Sequence, residues 1–322
     1  MLSTPRIGIS RCLLGEEVRF DGGHKHDTFL TGTFGRFVEW VPVCPEVEVG
    51  MGIPREAIHL VADPAGVPAG AERVRLVGVR SGTDWTDAMV RYSDDRVRAL
   101  ASENLSGYVL KKDSPSCGME RVRVHQAAMK TRTGRGLFAE ALLRALPNLP
   151  IEEEGRLNDL ALRENFVERV FAYQRMRRLF AGPWTPGDLV AFHTAHKLLL
   201  LAHSRPGYTA LGRLVAAAKA TPREELADTY QATFMRTLAR IATPGRQADV
   251  MQHMLGHLKR LIDRGDREEI LDAIEAHRRG EVPLVVPITL LRHHVRRHAV
   301  AYLTGQVYLD PHPRELALRN HV

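Results

Sequence analysis

Short apolar runs alternate with helical patterns over the first 145 or so residues. The apolar runs predict strands, and apolar residues at three- and four-residue spacing predict helices between them. This alternation is typical of an α/β domain with a parallel, Rossmann-like sheet. The predicted strands are residues 6–10, 41–44, 74–79 and 107–110, and the predicted helices are residues 84–103 and 134–146.

The pattern changes after residues 147–155, where prolines and an acidic run predict a linker. Beyond it, nearly every segment has helical periodicity, and Pro or Gly marks most of the breaks. We therefore predict an α/β domain over residues 1–150 and an all-α domain over residues 151–322. The predicted helices of the second domain are residues 157–180, 186–203, 207–220, 224–242, 247–264, 267–280 and 287–304.

The composition is that of an ordinary globular protein, with 44% hydrophobic and 26% charged residues among 322. No apolar stretch approaches the roughly 18 residues of a membrane helix, and the N-terminus lacks the order of a secretory signal. The odd count of three cysteines argues against a disulfide framework and favours a reducing compartment. We expect a cytoplasmic protein without a membrane partner, and the sequence leaves its oligomeric state open.

The three cysteines, Cys12, Cys44 and Cys117, each follow the C-terminal end of a predicted strand. Ligands of open α/β sheets bind at that edge, so the three thiols are expected to converge. Thiolates prefer soft metals, and three ligands leave one position of a metal centre open. Three unrelated buried thiols are the alternative, although the neighbouring Pro45 and Gly118 favour presentation to a site.

The sequence around these cysteines resembles the TudS thiouracil desulfidase family. The resemblance covers roughly residues 5–145, in three motifs that occur in the family's order. The second half of the chain resembles the YbgA-type domain. The combination of the two domains in one chain resembles tRNA 4-thiouridine desulfidases. The TudS motifs are Cys12-Leu-Leu-Gly15, Cys44-Pro-Glu46 and Lys111-Lys-Asp-Ser-Pro-Ser-Cys117-Gly118, and the YbgA-type motifs include Phe192-His-Thr-Ala-His-Lys197, Ala202-His-Ser204 and Tyr302-Leu-Thr-Gly-Gln-Val-Tyr308.

The resemblance implies that Cys12, Cys44 and Cys117 hold a [4Fe–4S] cluster with one iron free of protein ligands. The thiocarbonyl sulfur of a thiolated pyrimidine would bind that iron as a Lewis acid, and water would replace the sulfur without electron transfer. One departure bears on the pocket: Glu46-Val-Glu-Val-Gly-Met-Gly52 has extra charge and bulk where the family pattern has a Gly-Gly pair.

Roles for the polar residues near the cysteines follow from this chemistry. Glu46 is the first choice as general base and Glu48 the second. Ser114 is expected to donate a hydrogen bond or relay a proton, and Ser116 to contact substrate, although a Ser-Pro-Ser turn that only shapes the loop is the alternative. We expect three further residues to face either the phosphate of the substrate or solvent alone: Lys111, Lys112 and Arg55.

A tRNA partner is favoured by the moderate net charge of +7 and by basic runs in the helical half. The candidate RNA-binding residues are Arg292, His293, Arg296 and Arg297, with Arg175, Arg177 and Arg178 as another cluster. Tyr302 and Tyr308 either stack on bases or lie in the core. Two histidine pairs are expected in the core or facing RNA rather than on a second metal: His193 with His196, and His253 with His257.

Two other functions remain open at this stage. The enzyme could act on a free thiobase or thionucleotide, with the helical domain serving dimerisation. The chain could instead be a non-catalytic RNA-binding protein whose cysteines hold a structural zinc.

Overall fold

The computed structural model describes residues 4–62, 74–126 and 129–321. Its contacts divide the chain into two compact units, Met1–Asn158 and Asp159–Val322. The sequence analysis predicts no secretory signal at the N-terminus, and residues 1–3 of that segment lie outside the described part of the chain. Within that part, no helix is both long and apolar enough to cross a membrane.

The described residues of the first unit form two four-stranded sheets. One is parallel throughout, with the order β2-β1-β5-β8, and the other has the order β4-β3-β6-β7. In the second sheet β3 pairs parallel with β6, and the other two described pairings, β3 with β4 and β6 with β7, are antiparallel. The strands are β1 (Arg6–Ser10), β2 (Glu39–Val43), β3 (Ile58–Ala62), β4 (Val74–Gly78), β5 (Leu105–Leu110), β6 (Val122–Gln126), β7 (Met129–Gly134) and β8 (Ile151–Glu153).

The parallel sheet is buried through its centre. β5 is buried along its whole length, and Ile7 and Ile9 of β1 are fully covered. Gly8 makes this packing possible, because a Cβ at that position would lie 2.1 Å from the ring of Tyr108 on β5. The helices of this unit are α1 (Pro45–Glu48), α2 (Thr86–Ser102) and α3 (Leu137–Ala145).

The second unit consists almost wholly of helices. Most begin at a side chain that accepts backbone N–H groups of the first turn, such as Asp159, Thr185 and Asp263. Their apolar faces form one core that includes Tyr230 and Phe234. The helices are α4 (Leu160–Phe180), α5 (Pro186–His203), α6 (Arg205–Ala216), α7 (Arg223–Leu238), α8 (Pro244–Leu258), α9 (Arg264–Arg278), α10 (Val285–Arg297) and α11 (Ala301–Thr304).

The predicted fold class is confirmed: an α/β unit with a parallel sheet is followed by a helical unit. Two details of the prediction are wrong. The predicted linker contains β8, whose pairing with β5 keeps residues up to Asn158 in the first unit. The predicted strand at residues 74–79 lies in the second, mixed sheet and pairs antiparallel to β3.

Candidate functional site

The three cysteines lie beside one another because they follow neighbouring parallel strands. β1 lies between β2 and β5, so their C-terminal ends meet at one edge of the sheet. Cys12 lies in the 3-10 turn after β1, Cys44 directly follows β2, and Cys117 lies in the loop after β5. The three side chains line a single cavity of 450 Å³, a volume within the range of small-ligand sites.

The loop that presents Cys117 is held by its own hydrogen bonds. The Ser114 hydroxyl accepts the backbone N–H groups of Ser116 at 3.2 Å and Cys117 at 3.1 Å. The N–H of Gly118 donates to the Ser114 carbonyl at 2.8 Å. These bonds fix the backbone on both sides of Pro115, so the cysteine side chain is presented from a rigid turn.

The N-terminus of α3 closes the same loop from the other side. The N–H groups of Phe138 and Ala139 donate to the Ser116 carbonyl at 3.0 and 3.2 Å. A Cβ at Gly136 would lie 2.4 Å from the carbonyl carbon of Ser116. The two backbones therefore approach so closely that only glycine fits at position 136.

Glu46 lies in the cavity wall with both carboxylate oxygens engaged. Its Oε1 accepts the hydroxyls of Ser116 at 3.1 Å and Ser114 at 3.3 Å. Its Oε2 forms an ion pair with Arg55. Both serines that flank Pro115 thus reach the carboxylate that the sequence analysis proposed as the base.

Arg55 has a different environment from the one expected. Its side chain is only 5% exposed, and besides Glu46 it donates to the carbonyls of Val18 at 3.0 Å and Gly52 at 3.1 Å. The guanidinium lines the cavity but is occupied by these acceptors. Its position suits orientation of the Glu46 carboxylate rather than direct binding of substrate phosphate.

Glu48, the second choice as base, serves local structure. Its Oε1 accepts the backbone N–H of Cys44 at 2.9 Å, and its Oε2 accepts the hydroxyl of Tyr92 at 2.6 Å. Arg96 approaches the same oxygen at 3.5 Å. Glu48 therefore fixes the start of α1 next to a cysteine and is not among the residues that line the cavity.

The two lysines of the third motif differ in their surroundings. The ammonium of Lys111 pairs with Glu154 and donates to the Lys112 carbonyl at 3.0 Å, so it is occupied. The backbone N–H of Lys112 donates to the same glutamate at 2.7 Å, while its side chain is exposed at the rim of the cavity. Only Lys112 retains the surroundings expected for contact with phosphate.

Burial controls the protonation of the thiols. It raises the pKa of Cys12 to about 11, against the opposing effect of the Lys111 ammonium. Burial also raises the pKa of Cys44, and burial followed by the nearby Glu46 carboxylate raises that of Cys117. The free thiols are therefore neutral at physiological pH, and a metal that binds there has to displace their protons.

The spacing of the thiols bears on the kind of metal. In the described part of the chain, three potential metal-binding side chains come within 4.8 Å of one another at Glu164, Glu168 and His312, and the three cysteine sulfurs do not all lie that close together. A single zinc ion with bonds of 2.3 Å would hold three sulfurs about 3.8 Å apart. A larger cluster spaces its thiolate ligands more widely than one zinc ion does, and three sulfurs that are not all within 4.8 Å of one another are compatible with it.

An aromatic residue of the cavity was missed by the sequence analysis. Phe20 is 39% exposed and lines the cavity, with the guanidinium of Arg19 5.4 Å from its ring centre. An exposed ring beside the thiols offers a face on which a pyrimidine can stack. Phe20 lies between the first two cysteine motifs, and the sequence analysis assigned it no role.

The candidate RNA-binding residues of α10 fall into two groups. His293, Arg296 and Arg297 are exposed. Arg292 is not, because its guanidinium donates to the Leu309 carbonyl at 2.6 Å and pairs with Asp310 at 3.3 Å. Arg292 is thus a structural contact between α10 and the segment after α11, and its expected role in phosphate binding is not supported.

Three of the six other aromatic and histidine candidates lie in the helical core, whereas Tyr302 is half-buried and both His253 and His257 are exposed. Tyr308 is 1% exposed, which assigns it to the core rather than to base stacking. His193 contacts the Tyr230 hydroxyl at 3.1 Å, and His196 contacts the Phe192 carbonyl at 2.7 Å. This pair therefore lies in the core, which is one of the two placements expected for it.

Comparison with known proteins separates the same two halves. The 2-thiouracil desulfurase family matches residues 7–154, and a family of unknown function, DUF1722, matches residues 197–313. The chain is similar to the uncharacterized protein YbgA of Escherichia coli (strain K12), with 32% identity over 153 residues, 47% of this chain and 90% of YbgA. It is also similar to the uncharacterized protein YbbK of Bacillus subtilis (strain 168), with 28% identity over 155 residues, 48% of this chain and 99% of YbbK.

Among solved structures, the chain is similar to the [4Fe–4S]-dependent thiouracil desulfidase TudS. The identity is 27% and the TM-score is 0.38, and the match covers 51% of this chain and 99% of the other.

Proposed function

This chain belongs to the family that joins a 2-thiouracil desulfurase domain to a YbgA-type domain, and we propose that it removes sulfur from a thiolated pyrimidine, specifically 4-thiouridine in tRNA. The observation that carries this proposal is the convergence of Cys12, Cys44 and Cys117 on one cavity whose wall also holds the Glu46 carboxylate. Soft ligands and a base lie together there, as this chemistry requires.

The three thiols are proposed to hold a [4Fe–4S] cluster. Thiolates are the preferred ligands of iron–sulfur clusters, and the spacing of the sulfurs and the cavity beside them are consistent with a group larger than one ion. When bound, the cluster would supply an iron without a protein ligand, which withdraws electron density from the thiocarbonyl of the substrate.

Glu46 is proposed as the general base. Its carboxylate lies in the cavity wall, where it can accept a proton from a water molecule next to the ring carbon. The water oxygen bonds to that carbon, the carbon–sulfur bond breaks with its electron pair on sulfur, and sulfur leaves as sulfide. Thiocarbonyl and water thereby become carbonyl and hydrogen sulfide, with no oxidant or reductant consumed.

Ser114, Ser116 and Arg55 are proposed to hold the base in position. The two hydroxyls donate to one oxygen of Glu46 and the guanidinium to the other, so the carboxylate plane is fixed from both sides. Ser114 lines the cavity, whereas Ser116 is fully buried. Ser114 is therefore the serine that can also pass a proton between Glu46 and a bound substrate.

The helical unit supports tRNA as the bearer of the thiobase. His293, Arg296 and Arg297 are exposed near the end of α10, and such groups neutralise phosphates with an affinity that falls with salt. The exposed Lys112 at the cavity rim offers a further contact for phosphate. A free thiobase carries no phosphate, so these charges favour a substrate that bears phosphate, and the several exposed groups on α10 favour a polymer over a single thionucleotide.

One incubation tests the choice of substrate. Anaerobically reconstituted protein is given tRNA that contains 4-thiouridine and, in parallel, free 4-thiouridine and free 2-thiouracil. Mass spectrometry then follows conversion of each thiobase to its oxygen analogue. We expect the highest kcat/KM on tRNA. Turnover of the free compounds with none on tRNA would overturn that substrate, and turnover of none would overturn the desulfidase.

A further inference from the structure

A second cavity adjoins the cysteine-lined one within the first unit. Its volume is 540 Å³, and Arg55 and Ile58 line both cavities. A free thiobase needs only the first cavity. A thiolated nucleotide inside a polymer continues into its neighbours, so the adjoining space is where the next nucleotide of the chain has room.

Trp85 gives the second cavity an aromatic wall. Its backbone N–H donates to the Leu76 carbonyl at 2.8 Å, and its side chain packs against the apolar cluster around Leu76 and Met89. The indole is thus anchored on one side and half-buried, and it lines the cavity with the remaining surface. A fixed aromatic face of this kind can stack on any of the four bases, because every base has a flat π-face.

Arg80 adds a positive charge to the same wall. It is exposed in the turn after β4, and the described residues form no salt bridge with its guanidinium, although its charge attracts the Glu56 carboxylate of the same wall. The turn itself is ordered by Glu56, whose Oε2 accepts the N–H groups of Arg80 and Ser81, both at 3.0 Å. Among the described residues that line this cavity, Glu56 is the one carboxylate. Its Oε2 is occupied by the backbone of the turn and its Oε1 by the Ser81 hydroxyl, so the exposed Arg80 guanidinium has no hydrogen bond to it and can turn towards phosphate.

We propose that this second cavity, formed by Met51, Arg55, Glu56, Ile58, Arg80, Ser81 and Trp85, binds the nucleotide adjacent to the thiolated one. Its base stacks on Trp85 and its phosphate contacts Arg80. The proposal rests on the proposed desulfidase function and deepens it, because the same site then distinguishes RNA from a free thiobase by the flanking nucleotide.

The test compares two substrates in three proteins: wild type, Arg80→Ala and Trp85→Ala. The readout is the ratio of kcat/KM on thiolated tRNA to kcat/KM on free 4-thiouridine. Loss of one stacked base or one phosphate contact should lower this ratio about tenfold. The logarithm of the tRNA binding constant falls linearly with the logarithm of the salt concentration, and Arg80→Ala should make this slope shallower by about one.

Two further variants keep the test decisive. Arg91→Ala removes an exposed arginine of α2 that lines neither cavity, and it should leave the ratio at the wild-type value. Trp85→Phe retains an aromatic face and should recover most of the ratio if Trp85→Ala lowers it. An unchanged ratio in both Arg80→Ala and Trp85→Ala would overturn the subsite while leaving the desulfidase intact. A wild-type protein active on free 4-thiouridine but inactive on tRNA would overturn the subsite and the tRNA substrate, and one inactive on every thiolated compound would overturn the desulfidase as well.

Discussion

Glu46 is held by more partners than a solvated carboxylate of the surface would have. Arg55 takes one of its oxygens, and two serine hydroxyls take the other. The guanidinium is nearly inaccessible to solvent, so its charge is best satisfied by this carboxylate. This arrangement fixes the direction of the carboxylate, which is what a base needs when its water must attack one ring carbon.

Glu46→Gln is expected to lower kcat at least about 100-fold, because the amide cannot accept the proton of the attacking water. Iron content and absorbance should remain those of the wild type, since Glu46 is not among the proposed ligands. Glu17→Gln is the matched control: Glu17 is exposed and does not line the cavity. Retention of full activity by Glu46→Gln would show that another group is the base.

Sequence reasoning identified which residues approach the cavity better than it identified what each one contacts. The thiols could be placed together because strand ends converge in any parallel sheet. The environment of Lys111 could not be predicted, because its partner Glu154 lies 43 positions away. Glu154 directly follows β8, a strand that the sequence pattern does not indicate. The contacts of Arg292 could not be predicted for a related reason, since a basic run does not reveal which of its members points inward.

The loop of Cys117 and the start of α3 behave as one element. The Ser116 carbonyl accepts two N–H groups from the first turn of the helix, and Gly136 donates to the Gly118 carbonyl at 2.8 Å. Gly118 is also confined, because a Cβ there would lie 2.3 Å from Val122. The position of the third thiol therefore depends on contacts that are not themselves part of the site.

Gly136→Ala is expected to displace the loop, because the new methyl group overlaps the Ser116 backbone. The reconstituted variant should retain less iron than the wild type while the helical unit stays folded, as measured by iron analysis and circular dichroism. Gly32→Ala is the control, since nothing lies within 4 Å of a Cβ at that position. Equal iron content in Gly136→Ala and wild type would contradict this coupling.

The elements with clear periodicity were predictable, and those stabilised by distant partners were not. β1, α2 and α5 occur close to where their apolar patterns place them. β8 was taken for a linker because it contains Glu152 and Glu153, which sequence rules assign to solvent. Both are buried, with Glu152 bonded to Arg156 at 2.6 Å and Glu153 to the Met119 N–H at 2.6 Å.

The molecule combines two units with separate cores, and their sensitivity to pH is expected to differ. The helical core contains buried imidazoles with lowered pKa values. Burial is the main cause in each case, and it brings the pKa of His193 to about 4, of His196 to about 3 and of His312 to about 4. These rings are neutral in the folded helical unit and regain a pKa near 6.5 when it unfolds.

The free energy of unfolding of the helical unit should therefore fall as the pH drops from 6.5 towards 4. Above 6.5 neither state binds these protons, and below it the unfolded chain binds protons that the fold excludes. Between pH 6.5 and 5 the loss is at most about 2 kcal/mol for each histidine. The free energy of unfolding is obtained at several pH values from the rate of hydrogen exchange in α5, measured as a function of denaturant concentration. His193→Gln should make the dependence shallower, and an identical slope in the variant would contradict the assignment.

The most direct measurement of the central claim is the metal and sulfide content of the anaerobically purified protein, beside Cys12→Ser, Cys44→Ser and Cys117→Ser. If the three thiols hold one cluster, the wild type should contain about four irons and four sulfides per chain and absorb near 400 nm. Each of the three variants should lose both the iron and the absorbance. A colourless wild type with one zinc per chain, or a variant that keeps a full cluster, would contradict the account.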